Sequence, residues 1–122
     1  MENHELIQRF KIAKKKYYSE RAQIADEYFK TNLNFKIGDV VLVKSRYGWE
    51  GCMYVNRIYF SNIDNYINEP YKYIPVIEIS GWSVKDNGCF GRILSSYDSR
   101  TANAKDVVKV VDIKLREPLP ND

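Results

Sequence analysis

The residues of this chain that could do chemistry are few and lie far apart in the sequence. The one histidine is His4, and the two cysteines, Cys52 and Cys89, stand in no CxxC pair. A zinc site needs several such ligands at short spacings, and acid–base or nucleophilic catalysis needs a base beside the reacting group. Asp86 and Asp98 are more typical of turns than of a catalytic pair. We therefore expect no catalytic residue, no metal and no cofactor, and two reduced, half-buried thiols.

Aromatic residues are the unusual component of the composition, with ten tyrosines and two tryptophans among 122 residues. Several of them stand beside glycines, where strands give way to loops and binding residues concentrate. Tyr and Trp are also enriched where protein interfaces carry their energy. The predicted partner-binding residues are the aromatics Tyr47, Trp49, Tyr71, Trp82 and Tyr97.

Two other binding functions stay open for the same aromatic side chains. Bases of a nucleic acid would stack on them while four cations contact phosphates. These cations are Lys44, Arg46, Arg57 and Arg92. An aromatic cage for a cationic side chain would combine two or three rings with an acid such as Glu50. The formal net charge is only +3, which is far from the strong field of a dedicated nucleic-acid binder, so a protein partner is favoured.

Residues 1–34 are predicted as an amphipathic helix, because apolar residues recur at three- and four-residue spacings without a glycine or proline. Asn3 is predicted to cap its start. Its helical part, residues 4 to about 31, is about 42 Å long at 1.5 Å per residue, whereas a barrel of roughly 90 residues is about 30 Å wide. Unless the helix breaks near Ser19 and folds back, part of its apolar stripe extends beyond the barrel and must contact a second copy of the chain or another partner. We expect homodimerisation through Leu6 and Phe10.

The rest of the chain predicts short strands separated by turns. The predicted strands are residues 40–43, 52–60, 73–80 with an extension through Trp82 and Val84, 89–96 and 106–113. A loop is predicted at residues 61–71, a polar turn at 97–105, and a type I′ hairpin turn centred on Asn87 and Gly88. Since the first and last strands are apolar on both faces, we expect the helix to cover the outer face of the sheet.

Over residues 35–113 the order of parts resembles an SH3-like small barrel of the KOW or Tudor kind. The resemblance is carried by the strand start Gly38-Asp39-x-Val41, a loop with Gly48 and Gly51, the strand Val55-x-x-Ile58, a tight hairpin and a short turn at 103–106. It implies an α+β fold in which a long N-terminal helix packs on a five-stranded antiparallel SH3-like small barrel. Proteins of one helix and one such barrel are similar to small bacterial and phage proteins. The resemblance thereby implies a phage or mobile-element accessory protein, or an inhibitor of a host factor.

The sequence has no charged-then-apolar leader and no apolar run of membrane-spanning length. We therefore expect a cytoplasmic protein without membrane contact. With 122 residues, of which 44% are hydrophobic, the chain is long enough for one domain with its own core. Residues 1–34, 35–113 and 114–122 are predicted as the helix, the barrel and a loose C-terminal tail of that single unit.

Overall fold

The computed structural model describes residues 2–46 and 48–120. The chain divides into two compact units, Met1–Leu33 and Asn34–Asp122. The first unit is helical and the second is built on strands, so the fold is α+β, as predicted. Among the described residues, no helix is both long and apolar enough to cross a bilayer.

The first unit is a single helix, α1 (Asn3–Asn32), of 30 residues. It is continuous through Ser19, so the alternative of a break there is wrong. Its length is about 45 Å at 1.5 Å per residue. The residue before the first turn is Glu2, and no side chain caps this end of the helix, so the predicted capping role of Asn3 is also wrong.

Two side chains at the end of α1 donate hydrogen bonds to backbone carbonyl groups one turn earlier in the helix. The side chain of Thr31 donates to the carbonyl of Glu27 at 2.9 Å, and that of Asn32 donates to the carbonyl of Tyr28 at 2.9 Å. Leu33 then turns extended.

The second unit contains an antiparallel sheet of five strands. They are β1 (Val40–Lys44), β2 (Glu50–Phe60), β3 (Ile77–Val84), β6 (Ser99–Asn103) and β7 (Val107–Val110). Their order in the sheet is β6-β3-β2-β1-β7, so the last strand returns to pair with the first. The edge strands β6 and β7 do not pair with each other, so the described residues form an open sheet rather than a closed barrel.

Three short elements connect the strands of the sheet. They are α2 (Ile63–Asn68), a hairpin of β4 (Arg92–Ile93) and β5 (Ser96–Tyr97), and a 3₁₀ helix (Ala104–Asp106). Helix α2 lies within residues 61–71, which were predicted as a loop without structure. The side chain of Asn62 fixes its start, because Oδ1 accepts from the backbone N–H of Val76 at 2.8 Å and Nδ2 donates to the carbonyl of Ile74 at 2.8 Å.

The third and fourth strands of the sheet differ from the prediction. Strand β3 begins at Ile77 rather than residue 73, after Pro75, which has no backbone N–H to donate. The fourth sheet strand is β6, in the polar stretch that was predicted as a turn. An edge strand has one side free of neighbours, and in β6 only Ala102 is buried, which explains why its sequence lacks an apolar pattern. Within the predicted strand 89–96, the contact with β3 is one isolated bridge from Phe90 to Val84.

The turn at residues 85–88 also differs in type. The backbone N–H of Gly88 donates to the carbonyl of Lys85 at 2.9 Å, and Gly88 has a φ of 89°. Asn87 has no positive φ, so the predicted type I′ turn is wrong. Its side chain instead accepts a hydrogen bond from the backbone N–H of Cys89 at 3.0 Å. A Cβ at position 88 would collide with the carbonyl of Lys114, so glycine is required there.

Strand β1 is buried on both faces, as predicted. On one face lie fully buried residues, namely Val41, Val43, Met53, Val55 and Ile79. The other face carries a group that we call the aromatic cluster, which consists of Val40, Tyr54, Trp82, Val84 and Phe90. Its rings pack at centroid distances of 6.1 Å for both Tyr54–Trp82 and Trp82–Phe90.

The aromatic cluster is covered by residues 111–115, of which the first three were predicted as the end of a strand and the last two as part of a loose tail. Val111, Ile113 and Leu115 pack against the cluster, at every second position along the segment. The backbone N–H of Arg116 also donates to the carbonyl of Gly88 at 3.0 Å. The second unit therefore supplies a cover for this face from its own sequence.

Candidate functional site

The side chains of Trp49 and Arg100 form a half-exposed stacked pair. The guanidinium of Arg100 lies 5.0 Å from the centre of the Trp49 ring. Trp49 ends the β1–β2 loop, and its ring lies over Gly51, where a Cβ would come within 3.1 Å of the ring. The absence of a side chain at residue 51 thus leaves room for the ring. Stacking of a guanidinium on an indole is a favourable cation–π contact.

Asp98 fixes the other side of the guanidinium. The Nε of Arg100 lies 3.0 Å from Oδ1 of Asp98 and 3.1 Å from Oδ2. The hydroxyl of Ser83 donates to the same Oδ2 at 2.8 Å. Because Asp98 is buried, these charge-assisted hydrogen bonds are shielded from water and hold Arg100 in one orientation.

The backbone around Asp98 is held in turn by a ring of three hydrogen bonds. Ser83 donates to Asp98, Asp98 donates to Gly91, and Gly91 donates to Ser83, each from N–H to carbonyl at 2.9 Å. A Cβ at Gly91 would collide with the hydroxyl of Ser83. The carboxylate that orients Arg100 therefore stands on a rigid base.

A second stacked pair stands in the β4–β5 hairpin. The guanidinium of Arg92 lies 4.6 Å from the centre of the Tyr97 ring, and that ring makes an edge contact with Phe90 at 6.0 Å. Nη2 of Arg92 also donates to Oε2 of Glu117 at 2.7 Å. This ion pair raises the pKa of Arg92. Here the terminal amine already has a carboxylate partner.

The turn of this hairpin presents apolar side chains to solvent. Leu94 is 97% exposed and Ile93 is 58% exposed. Leu94 also has a φ of 57°, the left-handed conformation that a leucine rarely adopts. Such conformations concentrate where a surface is used for binding.

The predicted partner-binding aromatics are not brought together as one surface. Trp49 is half-exposed and Tyr97 is exposed, while Tyr71 is 86% exposed in the turn after α2. Trp82 lies inside β3 and is buried in the aromatic cluster, so its expected place on an exposed loop is wrong. Gly81 continues the strand, in agreement with the predicted extension of the third strand through Trp82 and Val84. Tyr47 lies outside the described residues.

The four cations of the nucleic-acid alternative are also dispersed. Lys44 stands opposite Glu50 in the β1–β2 register, and the Nε of Arg46 lies 3.9 Å from Oδ1 of Asp106. Arg57 stacks on its neighbour Tyr59 at 5.2 Å. Arg92 is paired with Glu117. Acids accompany three of these four cations, which weakens the field that a phosphate backbone would meet.

The predicted aromatic cage for a cationic side chain of a partner cannot use the ring of Trp49. The guanidinium of Arg100 already covers that ring, and Glu50 faces Lys44 across the strands. The rings of Tyr59 and Tyr97 likewise carry Arg57 and Arg92. Each of these sites already has a cation supplied by the chain itself.

The two cysteines are free and half-buried. Burial raises the pKa of the Cys52 thiol, nearby Asp86 raises it further, and Lys109 opposes the shift. The thiol of Cys52 is therefore a poorer nucleophile at neutral pH than an ordinary cysteine. The histidine side chain of His4 is 80% exposed and lies 3.3 Å from Glu2. Among the described residues, no three His, Cys, Asp or Glu side chains are grouped as a metal site.

On α1, Leu6 and Phe10 are both exposed, at 43% and 69%. They lie one turn apart on the same side of the helix, as the spacing predicted. Tyr17 and Tyr18 add two more exposed rings, each with a cation at 5.5 to 5.9 Å from its centre.

Sequence reasoning missed the residues that organise this site, namely Arg100, Asp98 and Leu94. Arg100 and Asp98 were assigned to a turn because their stretch has no apolar alternation. A signal for Leu94 was present in the sequence, because a leucine before two serines leaves an apolar residue in a polar turn. No family model, curated protein or solved structure matches this chain.

Proposed function

We propose that this protein is a non-catalytic interaction module that binds a protein partner through the β4–β5 hairpin and the neighbouring Trp49–Arg100 pair. The observation that carries the proposal is the exposed apolar turn of Ile93 and Leu94, held in a strained conformation. An apolar tip of this kind gains free energy by entering an apolar pocket of another protein. The sugar–phosphate backbone of a nucleic acid offers no such pocket.

The fold that we propose for the sheet unit is an SH3-like small barrel. The return of β7 to pair with β1 supports it, and so does the 3₁₀ helix at Ala104–Asp106, where the resemblance predicted a short turn. A phage or mobile-element accessory protein, or an inhibitor of a host factor, is the biological role proposed on that resemblance. We also propose that the protein forms a homodimer through Leu6 and Phe10.

Nucleic-acid binding remains the second candidate, on the observation that Arg57 is exposed and stacked on Tyr59. The two functions differ in their response to salt. Phosphate contacts release counterions and lose affinity steeply between about 50 and 200 mM salt, whereas an apolar protein contact changes little over that range.

The test is retention of a partner on the immobilised full chain, after nuclease treatment and in moderate salt. The matched variants are Leu94→Asn, which removes the apolar tip, and Ile74→Asn, which removes an exposed apolar side chain elsewhere. We expect a specific protein to be retained by the wild type and Ile74→Asn and lost by Leu94→Asn. Salt-sensitive retention of DNA or RNA that is lost on neutralising Lys44, Arg46 and Arg57 would overturn the proposal.

A further inference from the structure

We propose that Arg100 is the binding site for a carboxylate of the protein partner, from an Asp or Glu side chain or a chain terminus. This inference rests on the proposed protein-binding function and names the chemistry that one part of the interface recognises. It is carried by the way in which Asp98 and Trp49 hold the guanidinium and leave its terminal amines available.

An arginine side chain has five N–H donors in a rigid plane. In Arg100 the single Nε–H is directed at Asp98, and one face of the plane lies on Trp49. Among residues 2–46 and 48–120, the terminal Nη1 and Nη2 have no hydrogen-bond or ion-pair partner. These two amines form the end of the fork that matches the two oxygens of a carboxylate.

The guanidinium is held in place before any ligand arrives. Asp98 is fixed by the backbone ring with Ser83 and Gly91, and the Arg100 side chain still keeps 36% of its surface exposed. Orienting a free arginine side chain on binding costs conformational entropy, and this cost is reduced when the side chain is already held.

The other stacked arginines of the sheet unit lack this arrangement. Arg92 already gives Nη2 to Glu117, so its fork is occupied. Arg57 stacks on Tyr59, and no carboxylate orients its Nε among the described residues. Arg100 therefore combines an anchored Nε, a covered face and an available fork.

A carboxylate suits this site better than a phosphate. The charge of Asp98 offsets that of Arg100, so the site offers directed donors rather than excess positive charge. A phosphate monoester carries about −1.5 to −2 charge at neutral pH, so its stronger attraction to Arg100 is offset by a stronger repulsion from Asp98 than a single carboxylate meets. Hydrogen-bond geometry, not net charge, would then govern the affinity.

The experiment is a titration of the full-length ¹⁵N-labelled protein, followed at the Arg100 Nε–H and Trp49 indole N–H resonances. The probes are a blocked Gly-Glu-Gly peptide, the matched Gly-Gln-Gly peptide and inorganic phosphate. We expect a saturable shift of both resonances with the glutamate peptide alone. The Arg57 Nε–H serves as the internal control and should not respond.

The variants are Arg100→Lys, which keeps the charge but removes the fork, and Arg57→Lys as its match. We expect the first to weaken binding of the glutamate peptide at least about tenfold and the second to leave it unchanged. Tighter binding of phosphate, equal shifts at Arg57, unchanged affinity in Arg100→Lys, or no saturable shift in the wild type would each overturn the proposal. The wild-type titration decides the question even if Arg100→Lys fails to fold.

Failure of the carboxylate site can be distinguished from failure of the proposed protein-binding function. A protein that retains its partner through Leu94 but does not respond to the glutamate peptide loses the carboxylate site and keeps the function. A glutamate response in a protein that retains only nucleic acid would remove the protein-binding function instead.

Discussion

The backbone N–H of Phe90 donates a hydrogen bond to Oε1 of Glu117 at 2.8 Å, although 27 residues separate them in the chain. Oε2 of the same carboxylate accepts from Nη2 of Arg92 at 2.7 Å. Glu117 thereby joins the C-terminal segment to the loop that contributes Phe90 to the aromatic cluster, and to the β4–β5 hairpin. Its pKa is lowered, chiefly by the hydrogen bond from Phe90 and then by Arg92, against an opposing effect of burial.

The first prediction concerns acid stability. A glutamate whose folded pKa lies below its unfolded value stabilises the fold above the unfolded pKa, and this contribution is lost as the pH falls through the folded pKa. For Glu117 the loss should therefore develop below about pH 4.3. We expect the melting temperature of Glu117→Gln to lie below that of the wild type at pH 7 and to approach it in acid. The same difference at both pH values would contradict the assignment.

The second prediction separates the two tryptophans. Trp82 is buried in the aromatic cluster, so Trp82→Ala should cost about 3–5 kcal/mol of unfolding free energy. Trp49 is half-exposed, so Trp49→Ala should cost less than about 1.5 kcal/mol, mostly from the lost contact with Arg100. Urea unfolding measures both values. Equal losses would mean that the ring of Trp49 is part of the core.

Much of the fold follows from local patterns in the sequence. The length of α1 was predictable because no residue interrupts its apolar spacing, and burial of β1 on both faces was predictable because Val40 to Val43 are all apolar. A short turn was expected from the resemblance where the 3₁₀ helix lies.

The errors arise where long-range contacts decide the structure. Strand β6 is polar because it lies at an edge, and its pairing with β3 cannot be read from its own residues. Trp82 follows a glycine, but neighbouring strands on both sides keep Gly81 in the sheet. The C-terminal segment contains two prolines and was predicted as loose, yet contacts far back in the chain hold it in place.

The candidate site was predictable only in part for the same reason. Trp49 was identified because its glycine neighbours are adjacent in sequence. Its partner Arg100 lies 51 positions later in the chain. Asp98 orients that arginine by accepting a hydrogen bond from its Nε, and Asp98 is itself held by the hydroxyl of Ser83, which belongs to another strand. No local pattern connects these residues.

The third prediction concerns self-association through α1. Leu6 and Phe10 are exposed one turn apart, and an apolar pair on the same stripe of a second copy would cover them. The double change Leu6→Asp with Phe10→Asp should therefore give a monomer by light scattering, with an unchanged sheet unit. Gln8→Asp, which adds one negative charge away from the stripe, is the control and should leave the assembly intact. A wild-type protein that is strictly monomeric at high micromolar concentration would contradict self-association through α1.

The last prediction concerns Leu94, where stability and binding should change in opposite directions. A leucine at φ 57° is strained because its Cβ crowds the backbone, and asparagine tolerates this conformation better. Leu94→Asn should therefore raise the unfolding free energy by about 0.5–1 kcal/mol and the melting temperature by a few degrees. Leu94→Val keeps an apolar side chain but adds a branch at Cβ, so it should lower stability instead.

Partner retention should follow the opposite order. Leu94→Asn loses the side chain that is 97% exposed in the free protein, so it should bind more weakly although it is more stable. Leu94→Val should retain more of the binding although it is less stable. A stabilised Leu94→Asn that still retains the partner would mean that the strained leucine is not part of the interface, and binding would then have to be sought at Trp49 and Arg100 alone.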